Sequence, residues 1–379
     1  MADTMVDTMA NATAPNADHL TAEPATAPPV PALEVRGVRK AFGRTVVLDG
    51  VDLIVPAGSI TAVLGPSGGG KTTLLRIVAG FDEPDAGEVV LDGKVVAGPH
   101  SSLAAELRRV GVVPQEGALF PHLDVAGNVG FGLPKGLASR ERIEEVLDLV
   151  GLPGSQRSRP HQLSGGQQHR IALARALAPR PTIVVLDEPF SSLDAGLRAQ
   201  VRDEVILALQ AARTTAIVVT HDQQEALSVA DQVAVLLDGQ IAQSADPQTL
   251  YDAPASLDVA TFVGEAVVLG GDADGEGRVS CALGTLAVRQ AAVTAGVVDV
   301  VVRPEQVDVL APAGASAMLR DTVRGTVVSR SFFGHDGVVR VVLDGGLIVT
   351  ARLHASHLPA PGDAVELTVN SPVSVFPRR

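Results

Sequence analysis

The chain has one cysteine, Cys281, one tyrosine and no tryptophan in 379 residues. A single thiol excludes an internal disulfide and any zinc or iron–sulfur centre built on several cysteines, and it fits a reducing compartment. No apolar run approaches the ~20 residues that a membrane-spanning helix needs. A soluble chain is therefore expected, with any membrane role coming through partners. Residues 1–32 are rich in Ala, Thr, Pro and Asp and have neither a basic start nor an apolar stretch. They do not form a secretory signal and read as a disordered tail. Net charge is −13 with no Lys/Arg-rich run, which argues against a nucleic-acid partner.

What is present is more specific. Gly65, Pro66, Ser67, Gly68, Gly69, Gly70, Lys71 and Thr72 match the phosphate loop G-x-x-x-x-G-K-[ST], followed by Thr73, and the apolar run Ser59–Leu64 before them reads as a buried strand. Glycines let backbone N–H groups turn toward phosphate oxygens. Lys71 supplies a point charge, Thr72 a hydroxyl for Mg²⁺, and the helix starting near Lys71 aims its positive end at the anion. A nucleoside triphosphate is the expected ligand.

A second motif lies just before an acidic strand. Leu163-Ser164-Gly165-Gly166-Gln167 precedes Thr182-Ile-Val-Val-Leu-Asp187-Glu188. Ser164 reads as a helix N-cap with Gln167 completing a capping box. Two glycines inside a helix cost roughly 1 kcal/mol each, which suggests that something approaches the backbone closely. A second phosphate site at this helix N-terminus is the expected reason.

Taken together, the phosphate loop, Gln115 in Val112-Val-Pro-Gln-Glu116, the LSGGQ segment, Asp187-Glu188-Pro189, the loop Ser191-Ser-Leu-Asp194 and His221 in Val218-Val-Thr-His-Asp222 stand in the order of the ATP-binding-cassette family. The chain resembles that family over roughly residues 33–265. The resemblance implies an α/β P-loop NTPase cassette over 33–268, with a helical subdomain at roughly 102–178. It places Phe42 against adenine, assigns Asp187, Gln115 and Thr72 to Mg²⁺, makes Glu188 the base for the attacking water, and gives His221 the γ-phosphate. It also implies a head-to-tail homodimer in which Ser164, Gly165, Gly166 and Gln167 complete the partner's ATP site, with Asp194 at the interface. Two departures stand out: Gly69 where relatives often carry Ser or Cys, and His169 where Gln is frequent.

Local patterns add further expectations. Ser139 is expected to cap a helix carrying Ile143, Val146, Leu147 and Val150, closed by Gly151. Asp222 and Glu225 are expected to form another capping box, tethering His221. The run Ala118–Leu123 and the segment from Asn128 to Leu133 resemble the part of importer ATPases that touches membrane permease subunits. Residues 269–379 alternate Val-rich segments with Gly turns, and Asp344-Gly-Gly346 is a hairpin signal, so a small β-barrel is expected. This stretch, with Val302-Arg-Pro-Glu305, resembles the accessory TOBE-like domain of importer ATPases. Kinship favours a ferric-iron importer subunit at the cytoplasmic face of the membrane, working with permeases and a substrate-binding protein. Polyamine, sulfate, phosphonate or sugar importers and a soluble non-transport ATPase are the alternatives.

Overall fold

The computed structural model describes residues 30–99, 101–115, 118–191, 193–290, 293–311 and 322–378. The expected tail falls mostly outside the described residues. Its last residue does not, because Ala32 is buried and its N–H donates to the Val55 carbonyl at 3.0 Å.

At the centre is a six-stranded sheet in the order Gln240–Ala245, Gln232–Leu237, Ile60–Leu64, Thr215–Thr220, Ile183–Asp187, Val110–Val113. All pairings are parallel except the hairpin at the first edge. Its inner strands are buried along almost their whole length and mostly apolar, because both faces are covered. Alternation then divides them between two cores. Val184, Leu186, Ala216 and Val218 pack with the helical side, whereas Ile183, Val185, Ile217 and Val219 pack with helix α1 (Lys71–Ala79) and an antiparallel sheet. That sheet runs Thr45–Val55, Leu33–Phe42, Ala86–Leu91, Lys94–Gly98, Ser101–Ser102.

The helical side comprises α2 (Val125–Val129), α3 (Leu137–Leu149), α4 (Gly165–Leu177) and α5 (Ala195–Ala211). The stretch expected to be mainly helical from residue 102 begins instead with a short turn and the edge strand Val110–Val113, a β-rich run too short for periodicity to classify. Ser139 does not cap α3. Gly136 holds the N-cap position, and the Ser139 hydroxyl, inside the first turn, donates to the Pro134 carbonyl. Gly151, at φ 68°, does close the helix, its N–H donating to the Asp148 carbonyl.

Helices α6 (Gln223–Val229), α7 (Pro247–Asp252) and α8 (Leu257–Val263) lead to the C-terminal unit. The boundary expected at 268/269 falls inside the strand Val267–Ala273. Among the described residues, ten strands form two five-stranded antiparallel sheets around one valine-rich core. In the second sheet the edge strands Val307–Leu310 and Ile348–His354 approach each other, so it nearly closes into a small barrel. The hairpin at Asp344–Gly346 is present, with Gly346 left-handed at φ 80°. Arg303 clamps the two parts together: its Nη1 donates to the Ala260 and Gly264 carbonyls, both at 2.8 Å, and its guanidinium stacks 4.4 Å from the Tyr251 ring centroid. The Tyr251 hydroxyl bonds to Glu305, and burial with that bond pushes its pKa up to about 12.

Candidate functional site

Four neighbouring parallel strands end at one edge, and each delivers a chemical group just past its C-terminus. Leu64 opens the phosphate loop, Val113 leads to Gln115, Asp187 is followed by Glu188, and Thr220 by His221. The C-terminal edge of an open α/β sheet is where ligands bind, because loops diverge there and leave a crevice.

The phosphate loop is shaped by its glycines. Gly68 and Gly70 are left-handed, at φ 77° and 96°, a conformation costly for residues with a Cβ. At Gly70 a Cβ would meet Leu48 Cδ2 and the Val47 carbonyl oxygen at 2.9 Å, and at Gly65 one would lie 2.6 Å from the Leu236 carbonyl oxygen. Gly69 donates to the Pro66 carbonyl at 3.0 Å. Lys71 is 4 % exposed, with its ammonium held by the Gly65 and Pro66 carbonyls at 2.8 Å each. Burial lowers its pKa, opposed by the charges of Glu188 and Asp187.

The Thr72 hydroxyl donates to Asp187 Oδ1 at 3.1 Å. Asp187 has its pKa raised by burial against the opposing pull of that bond. Glu188 points elsewhere: His221 Nδ1 stands 3.1 Å from its Oε1. Alternation along a strand would by itself send two adjacent acids to opposite sides. The actual cause is a left-handed backbone at Glu188, φ 44°, just past the strand. A non-glycine residue held there stores roughly 1–3 kcal/mol, and such strain clusters at functional positions.

Gln115 Nε2 donates to the Ser191 hydroxyl at 3.1 Å, which donates to the Glu188 carbonyl at 2.9 Å. Ser191 thus bridges two expected site residues, a role that nothing in its serine-rich loop signalled. Phe42 is 52 % exposed at the end of its strand, with Lys40 Nζ 5.5 Å from its ring centroid.

The segment Ser164–Gln167 caps α4 as expected: Gln167 N–H donates to Ser164 Oγ at 3.3 Å and Ser164 N–H to Gln167 Oε1 at 2.9 Å. Its glycines divide in purpose. A Cβ on Gly166 would sit 2.6 Å from Val201 Cγ2 of α5, so close helix packing requires this glycine, whereas Gly165 is exposed with room around it. Helix packing is therefore a second reason for glycine at 166, beside the expected ligand. Asp194 caps α5 through Leu197 N–H at 3.0 Å, with its exposed side at the same end as Gly165.

The box expected around His221 is only half built. Asp222 accepts from Glu225 N–H at 3.0 Å, but the Glu225 carboxylate turns inward to the Thr220 hydroxyl at 2.8 Å. Near α2, buried Asn128 bonds the Phe120 N–H and carbonyl at 2.8 and 3.1 Å, and Phe120 packs on Phe131 with centroids 4.5 Å apart. Phe131 stays 64 % exposed.

Comparison with known proteins fits this geometry. A family model described as "ABC transporter" matches residues 48–191, and one described as "TOBE domain" matches residues 300–375. A protein of Rhodococcus jostii, "Fe(3+) ions import ATP-binding protein FbpC 1", is 48 % identical over 352 residues, covering 91 % of this chain and 99 % of the relative. The chain belongs to the ATP-binding-cassette transporter ATPases. A Pseudomonas fluorescens member, also named for Fe(3+) import, is 50 % identical over 342 residues, 89 % of this chain and 95 % of that one. Among solved structures, cbiO1 of Clostridium perfringens, described as part of the ABC transporter complex cbiONQ, matches with TM-score 0.54 at 27 % identity, over 59 % of this chain and 91 % of that one. This cassette ATPase binds and hydrolyses ATP.

Proposed function

We propose that the chain is the ATP-hydrolysing subunit of a ferric-iron importer, acting at the cytoplasmic face of the membrane as a homodimer joined to permease subunits. Relatives named for Fe(3+) import, 43–50 % identical over most of the chain, support the substrate. The observation that carries the chemistry is the convergence of Lys71, Thr72, Gln115, Asp187, Glu188 and His221 on one sheet edge, with the two acids turned to different partners.

Thr72 and Asp187 present hard oxygen donors side by side, the set that suits Mg²⁺. When bound, the ion neutralises developing charge on the phosphates. Lys71 and the loop N–H groups hold the β- and γ-phosphates. Gln115, tied through Ser191 to the backbone of Glu188, links the metal side of the site to the base. Glu188 accepts the proton of the attacking water, and His221 keeps water and γ-phosphate in line. Exposed Phe42 stacks on the base, a contact worth roughly 1–3 kcal/mol by analogy with other base–aromatic pairs. Gly165, open and at a helix N-terminus, faces the second copy's γ-phosphate, with Asp194 beside it. Exposed Phe131, packed on the Phe120 that Asn128 holds in place, offers an apolar contact to the permease.

A strain lacking this chain should lose uptake of labelled ferric iron and regain it with the wild type but not with Lys71→Ala. Intact iron uptake alongside lost uptake of sulfate, polyamine, phosphonate or sugar would reassign the substrate.

A further inference from the structure

The turn carrying His221 is built on a group that the proposed chemistry does not use. Glu225 is 8 % exposed, and its Oε2 accepts from the Thr220 hydroxyl at 2.8 Å. That hydroxyl oxygen in turn accepts from Asp222 N–H at 3.0 Å. The residues before and after His221 are thus fastened through one hydroxyl to one carboxylate. The second oxygen, Glu225 Oε1, is buried without a hydrogen-bond partner.

Arg198 of α5 is in the matching position. Its Nη2 donates at 3.0 Å to the carbonyl of Leu193, next to Asp194, while its Nε is buried and unpaired. Arg198 and Glu225 line one cavity of about 70 Å³, together with Glu188, Ser191 and His221. A buried polar atom left unmet is costly. One unmet donor and one unmet acceptor lining the same cavity can be joined by a single bridging water, for which the volume suffices. Burial raises the pKa of the Glu225 carboxyl, helped by the charge of Asp222 and opposed by the Thr220 bond and the charges of Arg202 and Arg198.

We propose that Glu225 is a positioning residue for hydrolysis, linked to Arg198 so that the turn bearing His221 and the loop ending at Asp194 move as one when that loop meets the second copy. The inference rests on the role of His221 given above. Steady-state Mg-ATP hydrolysis by the full chain tests it with Glu225→Gln, Arg198→Met and the double variant. Each single change should lower kcat tenfold or more, since displacement of a positioned group by about 1 Å can cost on the order of 10² in rate. KM for ATP should stay within about twofold, because the phosphate cradle is untouched.

The double variant should be no slower than the slower single one, the signature of a shared interaction. Losses that multiply, or a kcat equal to wild type in both single variants, overturn the link. If Glu225→Gln does not fold, Arg198→Met decides alone by the same kcat-against-KM pattern. His221→Ala separates the two readings. Wild-type turnover in that variant removes the histidine's own role, whereas an inactive His221→Ala beside a fully active Glu225→Gln removes only the link.

Discussion

The chain contains two glycine-rich helix entrances that look alike in sequence and are built differently. At Gly65–Thr72 the glycines are left-handed or pressed against backbone, and a buried lysine fills the loop. At Ser164–Gln167 the backbone is an ordinary capped helix, Gly166 is fitted to Val201, and only Gly165 is left open. The first is a complete cradle for phosphate. The second presents one exposed turn and, within Ser164–Gln167, no side chain able to neutralise an anion, which suits the proposed dimer in which it would complete a site whose lysine, metal and base come from another copy.

Breaking the first region should have the largest effect. Glu188→Gln should keep Mg-ATP binding while turnover falls about 10²–10⁴-fold, the usual contribution of a general base. Steady-state phosphate release measures it, and wild-type turnover would remove Glu188 from that role. Asp187→Asn should abolish metal-dependent ATP binding and yet stabilise the free chain. The sign follows from burial: the folded pKa of Asp187 lies above its unfolded value, so the folded state binds more protons and stability falls as pH rises through the carboxylate range toward the folded pKa. Thermal unfolding of the ATP-free variant at neutral pH should therefore give a higher Tm than wild type. An unchanged or lower Tm would mean that the Thr72 bond outweighs the burial.

The second region should respond more mildly and in two opposite ways. Gly166→Ala should destabilise by about 1–3 kcal/mol, because its methyl group is forced into Val201. Gly165→Ala should stabilise by roughly 0.5–1 kcal/mol, as alanine is the better helix former and the site is open. Turnover by the dimer should still fall in Gly165→Ala if a phosphate must approach there. Denaturant unfolding of the pair, read beside hydrolysis, separates packing from ligand approach. Equal stability changes at the two glycines would erase the distinction drawn between them.

The same contrast explains what the sequence could and could not say. The phosphate loop, the strands flanking it and the acids at Asp187 and Glu188 were readable because each motif has one physical use in its strand-to-helix setting. The Gly165–Gly166 pair signalled a close approach without saying what approaches, and for Gly166 it is the neighbouring helix. Glu225 read as half of a capping box, since spacing cannot reveal that its side chain turns inward to Thr220. Ser191 lay in a serine-rich loop, and its bridge between Gln115 and Glu188 depends on tertiary placement. In the C-terminal unit, alternation and the Asp344–Gly346 turn gave the strands, but their division into two sheets follows from register, which composition does not carry.

Complementation between two dead variants tests most directly whether the two entrances belong to one shared site. Lys71→Ala removes the cradle's charge and Ser164→Arg blocks the signature entrance, so each homodimer should be inactive. In a mixed dimer one interface carries both lesions and the other neither. An equal mixture should recover roughly a quarter of wild-type activity, because half of the dimers are mixed and each holds one intact site of two. No recovery, with mixed dimers shown to form by differential tagging and both chains folded by circular dichroism, would mean that each chain hydrolyses ATP with its own signature and that the composite site is wrong.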